Sequence, residues 1–136
     1  MCKPVDYRIG SKFLHAGPRY GGSCFPKDTL ALIKTAENAG SRARIVETVV
    51  KVNEMRKTKM ADRIIAACDG SVAGKKIAVL GLTFKPNTDD MRDSPSIPIC
   101  GALLAAGAEV IAFDPAGMPQ AAPLMPGVRF AKNAYD

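Results

Sequence analysis

Apolar residues in the first half of the chain recur at the spacing of amphipathic helices. Leu30, Ile33 and Ala36 lie three residues apart and are separated mostly by polar residues. This pattern predicts a helix over residues 27–39. Asp28 would then lie in the first turn, where a carboxylate meets the positive end of the helix dipole.

A longer apolar stripe follows and predicts a second helix over residues 43–68. Its apolar members lie among charged residues and are Ile45, Val49, Val52, Met60, Ile64 and Ala67. A helix of this length extends roughly 39 Å, which is more than a small lobe needs. Two explanations stay open: part of the stripe packs on another subunit, or the helix bends or breaks near Asn53.

The second half of the chain begins with a short apolar run instead of a helical stripe. Residues 77–82 are typical of a buried parallel strand, and a polar loop over residues 83–93 follows. Ser94 and Pro95 then predict the cap and the first position of a helix that Gly107 ends.

The order of these elements predicts the fold class. Residues 109–113 form a second apolar run, so a helix separates two predicted strands. Such an order favours a parallel, Rossmann-like sheet with a right-handed crossover. We therefore expect an α/β chain with two domains: a helical segment with a long dimerisation helix over residues 1–69, and a partial Rossmann-like lobe over residues 70–136.

Composition narrows the class of ligand. The chain has 136 residues, of which 47% are hydrophobic and 24% charged, with a formal net charge of +6. Its Lys and Arg residues are scattered and show no repeated interleaving with aromatic residues, so phosphate on a small molecule is favoured over nucleic acid. No apolar run approaches the roughly 18 residues of a membrane span, so no membrane partner is expected.

The cysteine pattern does not indicate a metal site. Four cysteines lie at positions 2, 24, 68 and 100, too irregularly for paired zinc ligands, and the single His15 cannot complete a Cys/His site. The composition supports a core without disulfides, and no signal-like apolar stretch opens the chain. We therefore expect reduced thiols in a cytoplasmic protein.

Cys24 has the neighbours of a reactive thiol. It lies in residues 21–28, GGSCFPKD, where a glycine turn leads into the predicted helix. A flexible turn, a nearby lysine and the amino end of a helix all favour the thiolate, which is the nucleophilic form of cysteine. Two interpretations stay open at this point: a nucleophile, or a small apolar residue that fills the core.

The polar loop over residues 83–93 leaves the first predicted strand at its carboxyl end, where open α/β sheets bind their ligands. Phe84 offers a face for a base or ribose, and Pro86 favours an extended backbone at Lys85 that projects the ammonium group outward. A glycine-rich dinucleotide fingerprint does not follow the strand. The alternative interpretation is a solvated loop without a ligand.

The two motifs together resemble the UDP-glucose/GDP-mannose dehydrogenase family, over nearly the whole chain from Asp6 onward. Residues 21–28 match the family segment around the catalytic cysteine, and residues 81–85, GLTFK, match its nucleotide-sugar loop. Phe25 and its neighbours are more similar to the UDP-glucose enzymes. The resemblance implies NAD-dependent, two-step oxidation of UDP-glucose to UDP-glucuronate, with GDP-mannose or another nucleotide sugar as the alternative substrate.

The resemblance also implies roles for single residues. Cys24 would bind the substrate covalently, first as a thiohemiacetal and then as a thioester, and Asp28 would help to handle protons or water. Lys27 and Arg92 match residues directed at NAD, and a homodimer through the 43–68 helix is expected. The residues that match substrate-binding positions are Arg8, Phe13, Leu14, His15, Ala16, Gly17, Gly21, Phe84 and Lys85.

Two departures from the family pattern bear on these expectations. Arg19 stands where the family usually has a second glycine, so the loop would be strained if its turn needs a positive φ. Family enzymes also begin with an NAD-binding domain that has no counterpart in this chain. We therefore expect that the 136-residue chain alone does not oxidise UDP-glucose. A nucleotide-binding module or a dimerisation module without activity stays open as an alternative.

Overall fold

The computed structural model of the chain describes residues 17–18 and 20–136. Two helices come first, followed by alternating strands and helices, so the expected α/β class is confirmed. The elements are α1 (Cys24–Asn38), α2 (Arg44–Ala67), β1 (Lys76–Leu80), α3 (Ser96–Ala105), β2 (Glu109–Phe113), the short α4 (Met118–Ala121), a 3-10 turn (Ala122–Leu124) and β3 (Arg129–Phe130).

The three strands form one parallel sheet in the order β1-β2-β3. Lys76 pairs with Glu109 and Leu80 with Phe113, so β1 and β2 are in register from end to end. Helix α3 connects these two strands and supplies side chains to the core of the lobe. The largest fully buried side chains of this core are Leu82, Leu103, Val72, Val110, Cys100 and Ser94.

Helix α2 runs without interruption through Asn53, so of the two explanations for its length, a helix broken near that residue is wrong. Its carboxyl half packs on the α/β lobe, where Ile64 and Ile65 contact the core. The helix also contacts α1, which has no fully buried residue, and the amino half of α2 is less covered. Apolar side chains therefore stay open to solvent there, and Ile45 is 81% exposed.

Helix α1 begins at Cys24, three residues earlier than the pattern predicts, and Asp28 therefore lies beyond its first turn. Pro26 is tolerated in this first turn because the first N–H groups of a helix have no intrahelical partner. Ser23 is the N-cap residue but makes no capping hydrogen bond with its side chain. The early start places the thiol itself at the amino end of the helix.

The predicted cap of α3 is also wrong, because Pro95 holds the N-cap position and Ser96 is the first helical residue. The hydroxyls of Ser94 and Ser96 instead donate to the carbonyl oxygen of Leu82, at 2.5 Å and 2.6 Å. All three residues are buried, so these bonds satisfy a carbonyl that the end of β1 would otherwise leave without a partner. They fix the start of α3 against the end of β1.

Candidate functional site

Cys24 is exposed at the amino end of α1, so the interpretation as a buried apolar residue is wrong. The hydroxyl of Ser23 lies 3.8 Å from the sulfur. The local fold thus presents an accessible thiol.

The turn before the thiol, residues 20–23, is called the thiol turn here and lies directly against the polar loop over residues 83–93. The N–H of Gly22 donates to the carbonyl oxygen of Arg92 at 3.0 Å. Gly22 has a φ of +79°, and a Cβ at this position would lie 2.8 Å from Cε2 of the Phe84 ring. Glycine is therefore needed both for the backbone conformation and for the space.

Helix α2 holds both sides of this contact. Asn53 is buried, and its side-chain amide accepts from the N–H of Tyr20 at 3.0 Å and donates to the carbonyl oxygen of Tyr20 at 3.3 Å. One helical turn later, the ammonium group of Lys57 lies 3.4 Å from the carboxylate of Asp93 and 2.5 Å from that of Glu54. In the sequence, the only signal for Asn53 is a polar residue next to an apolar stripe.

A cavity of about 1110 Å³ opens between the thiol turn, the amino half of α2 and the loop over residues 83–93. Its volume is just above the roughly 300–1,000 Å³ of typical small-molecule sites. The residues expected from the sequence that line it are Gly17, Gly21, Cys24, Phe84, Lys85 and Arg92. Helix α2 adds Thr48, Val49, Val52, Asn53 and Arg56, which the sequence pattern does not indicate.

Three cationic side chains lie at this cavity: Arg56, Lys85 and Arg92. The ammonium nitrogen of Lys85 lies over the Phe84 ring, 5.1 Å from its centre, and the residue is exposed. Arg92 binds the Asp90 carboxylate, with Nη2 2.6 Å from Oδ2, and this hydrogen bonding lowers the pKa of Asp90 to about 2. The cavity therefore holds cationic groups that can bind an anionic ligand, but one of them, Arg92, is paired with Asp90, which also lines the cavity.

Other expected site residues lie away from this cavity or outside the described residues. The charged groups of Lys27 and Asp28 are 3.6 Å apart on α1, both largely exposed, and neither residue lines the cavity. Outside the described residues lie Arg8, Phe13, Leu14, His15, Ala16 and Arg19.

Asp114 directly follows β2 and organises the start of the polar loop. Its buried carboxylate accepts from four backbone N–H groups: Leu82 at 2.7 Å, Gly117 at 2.7 Å, Ala116 at 2.9 Å and Thr83 at 3.4 Å. Burial raises the pKa of this carboxyl, but the four donors outweigh burial and lower it. An acidic residue immediately after a predicted strand is the sequence signal for this site.

This arrangement bears on how a dinucleotide could bind. In a Rossmann fold, the backbone N–H groups after the first strand donate to the pyrophosphate. Here the N–H groups of Leu82 and Thr83 donate to Asp114, so the turn after β1 does not fit a dinucleotide.

Within residues 17–18 and 20–136, no three His, Cys, Asp or Glu residues are grouped to hold a metal ion, and no helix is long and apolar enough to cross a membrane.

Two domain models of one family match the chain. Residues 3–55 match the central domain of the UDP-glucose/GDP-mannose dehydrogenase family, and residues 78–136 match its UDP binding domain. The UDP-glucose 6-dehydrogenase of Rhizobium meliloti (strain 1021) is 60% identical over 132 residues, which are 97% of this chain and 30% of that protein.

Solved structures agree with these matches. A UDP-glucose dehydrogenase from the hyperthermophilic archaeon Pyrobaculum islandicum superposes with a TM-score of 0.81 at 40% identity, over 95% of this chain and 30% of that one. A GDP-mannose dehydrogenase from Pseudomonas aeruginosa has the same fold, with a TM-score of 0.74 at 24% identity over 91% of this chain and 30% of that one. The chain thus spans about 30% of the length of these relatives. With both domain models matched in chain order and the fold shared, the chain belongs to the UDP-glucose/GDP-mannose dehydrogenase family.

Proposed function

We propose that this chain provides the catalytic thiol and the nucleotide-sugar contacts of an NAD-dependent UDP-glucose 6-dehydrogenase. The main support is that Cys24 and the pair Phe84 and Lys85, which are far apart in sequence, line one cavity. The names of the relatives in Rhizobium meliloti and Pyrobaculum islandicum, a UDP-glucose 6-dehydrogenase and a UDP-glucose dehydrogenase, favour UDP-glucose over GDP-mannose as the substrate. The proposal includes two domains: residues 1–69, which carry the thiol and the long helix α2, and residues 70–136, which form the Rossmann-like lobe.

In the proposed chemistry, Cys24 forms a covalent bond with the sugar. Its thiolate attacks the carbonyl carbon of the C6 aldehyde, the carbonyl π electrons move to the oxygen, and that oxygen takes up a proton. A bound nicotinamide cofactor would accept one hydride from C6 in each of two oxidations, first of the alcohol to the aldehyde and then of the thiohemiacetal to the thioester. The substrate hydroxyl loses one proton in each oxidation. Water then attacks the thioester carbon, the C–S bond breaks, and the thiolate leaves as the carboxylate product forms. Asp28, one helical turn after Cys24, is proposed to accept or orient the protons of these steps.

The binding roles follow from the chemistry of the cavity. The ring of Phe84 is proposed to contact the uracil or ribose, and the Lys85 ammonium to bind the diphosphate. Gly17 and Gly21 would let the backbone approach the sugar closely. The same role is proposed for Phe13, Leu14, His15 and Ala16, with Arg8 reaching the substrate of a neighbouring subunit.

The proposed NAD contacts of this chain are few. Arg92 lines the cavity, and Lys27 lies on α1 with its side chain 75% exposed. Because the turn after β1 does not fit a dinucleotide, these two cations would only supplement a cofactor site built elsewhere.

Calorimetric titration of the 136-residue chain with UDP tests the nucleotide site. We expect saturable binding that Lys85→Met weakens by about fivefold, since it removes a charged partner of the diphosphate. Lys76→Met removes the same charge at the exposed start of β1, the far end of that strand, and should leave the affinity unchanged. Absence of UDP binding by the folded wild-type chain would contradict the proposal.

Alkylation of the thiol tests whether sugar and cysteine share one site. UDP-glucose should protect Cys24 from iodoacetamide at neutral pH, as measured by peptide mass mapping. Lys85→Met should reduce this protection at a UDP-glucose concentration that half-protects the wild-type chain. A non-enzymatic nucleotide module would instead bind UDP while Cys24 stays inert to the reagent.

We also propose that α2 forms a homodimer contact. Its amino half exposes apolar side chains outside the cavity, namely Ile45 at 81% and Met55 at 50%, which a monomer leaves in water. Sedimentation equilibrium should show a dimer that Ile45→Glu weakens.

We also propose a cytoplasmic location, since Cys24, Cys68 and Cys100 are free thiols.

A further inference from the structure

We infer that Asn53 is a positioning residue, which sets the thiol turn against the polar loop, and that Lys57 fixes the loop from the same helix. The meaning of this arrangement for catalysis rests on the proposed function, because it takes the thiol and the loop to act on one substrate.

The Asn53 amide uses both of its polar atoms on one residue of the thiol turn. Its oxygen accepts from the N–H of Tyr20 at 3.0 Å and its nitrogen donates to the Tyr20 carbonyl at 3.3 Å. Asn53 is only 6% exposed, so water does not readily replace either bond. The Tyr20 ring also packs edge-on against Phe25, with ring centres 4.8 Å apart, and Phe25 directly follows Cys24. Tyr20 is thus the point at which α2 holds the thiol turn.

Lys57 holds the other side. Its side chain is 16% exposed and lies 3.4 Å from the carboxylate of Asp93. Asp93 has a φ of +51°, a conformation that a non-glycine residue adopts only when its surroundings stabilise it. Arg92, the residue before Asp93, provides the carbonyl that accepts from Gly22. Lys57 therefore supports the acceptor side of the bond between turn and loop.

Residues four positions apart lie on one face of a helix, so Asn53 and Lys57 act from the same side of α2. The helix is continuous between them, and a rigid helix sets spacing more accurately than loops do. Two side chains of one helix therefore set the distance between the thiol turn and the polar loop. The hydrogen bond from Gly22 to Arg92 forms as a result.

Amide hydrogen exchange of the full 136-residue chain, followed by NMR, tests this inference. Asn53→Ala should speed exchange at Tyr20 and at Gly22 by about tenfold, the effect of losing two modest hydrogen bonds. Lys57→Met should speed exchange at Gly22 but not at Tyr20. The amide of Glu109, which donates to Lys75 at 2.9 Å in the sheet lobe, reports global opening and should keep its wild-type rate.

Three further variants make the outcome decisive. Asn53→Asp keeps an acceptor for the Tyr20 N–H but no donor, so it should give a smaller effect at Tyr20 than alanine. Asn38→Ala and Lys59→Met remove the same groups at exposed positions and should change nothing. The inference is overturned if exchange at Gly22 keeps its wild-type rate in both Asn53→Ala and Lys57→Met. It is also overturned if exchange at Glu109 becomes faster in every Asn53 and Lys57 variant, because these residues would then only stabilise the fold as a whole.

UDP titration of the same variants separates this inference from the proposed function. We expect Asn53→Ala to weaken UDP binding by about threefold, because the loop is less well ordered before binding. If the wild-type chain fails to bind UDP, the proposed function fails while the exchange result still decides the positioning role. If UDP binds and Gly22 exchange does not respond, only the positioning role fails.

Discussion

The N–H of Gly22 and the carbonyl oxygen of Arg92 form a 3.0 Å hydrogen bond that joins the thiol turn to the polar loop. The Phe84 ring lies beside the same glycine, where a Cβ would come within 2.8 Å of its edge. The thiol turn and the polar loop are therefore not independent, because a change in the turn displaces the Phe84 ring.

Gly22→Ala should disrupt this junction. The alanine must adopt a φ of +79°, at a cost of about 1 kcal/mol, and its methyl group overlaps Phe84, which adds about 1–3 kcal/mol. We expect a lower midpoint in urea unfolding. We also expect at least tenfold weaker UDP binding, since a free-energy cost of about 1.4 kcal/mol corresponds to a tenfold change in a binding constant.

Gly40→Ala is the matched control for this variant. Gly40 has a φ of +69°, but a Cβ there meets no atom within 4 Å. It should therefore show the backbone cost alone and normal UDP affinity. Equal effects of the two substitutions on UDP binding would show that the contact with Phe84 has no importance for the ligand.

The cysteines should differ widely in reactivity. Cys24 is exposed, whereas Cys100 is buried and its burial raises its pKa to about 11. Near neutral pH, iodoacetamide should label Cys24 quickly and Cys100 only after unfolding. Labelling of Cys100 at the rate of Cys24 in the folded chain would contradict the described core.

Burial of the Cys100 thiol also predicts a pH dependence of stability. Its folded pKa of about 11 lies above the ordinary value of 9.0, so the neutral thiol is favoured in the folded state. The stabilisation is complete below 9.0 and is lost as the pH rises through about 11. Cys100→Ala should show a smaller loss of stability than wild type over this alkaline range, as measured by urea unfolding.

Asp90→Asn should strengthen binding of an anionic ligand. The Asp90 carboxylate now holds the Arg92 guanidinium in a bidentate contact at the cavity. Without that charge, Arg92 is available to a phosphate, and we expect about threefold tighter UDP binding at low salt. Asp62→Asn, exposed on α2, is the control of equal charge. A weaker affinity in Asp90→Asn would show that the pair orders the loop more than it competes with the ligand.

Much of the fold follows from local patterns, and this is why it could be predicted. The stripe of α2 and the apolar runs of β1 and β2 each lie within one element, so spacing alone indicates them. β3 has only two residues and exists through its pairing with β2, which no local pattern shows. The early start of α1 was also beyond prediction, because Ser23 makes no capping bond with its side chain.

The candidate site divides in the same way. Cys24, Phe84 and Lys85 lie in local motifs and could be found in the sequence. Asn53 and Asp114 act through hydrogen bonds to Tyr20 and Leu82, residues that are 33 and 32 positions away along the chain. Such partners are set by tertiary packing, so a polar residue in a stripe or after a strand is only a weak signal of them.

Asp114→Ala should destabilise the sheet lobe strongly, because four backbone N–H groups lose their acceptor and two of them begin the polar loop. We expect a loss of about 3 kcal/mol in the free energy of unfolding at pH 7, from urea titration followed by circular dichroism. Asp62→Asn again serves as the exposed control.

The pH dependence of Asp114→Asn tests the cause of that loss. Backbone donors hold the folded pKa of Asp114 below its ordinary 3.8, despite its burial. Its stabilisation is therefore present above pH 3.8 and is lost as the pH falls through the lower, folded value. The difference in stability between wild type and Asp114→Asn should shrink on acidification below this point. A difference that stays constant between neutral and acid pH would mean that the shape of the side chain, and not the charge with which Asp114 accepts hydrogen bonds from Leu82 and its neighbours, holds the loop in place.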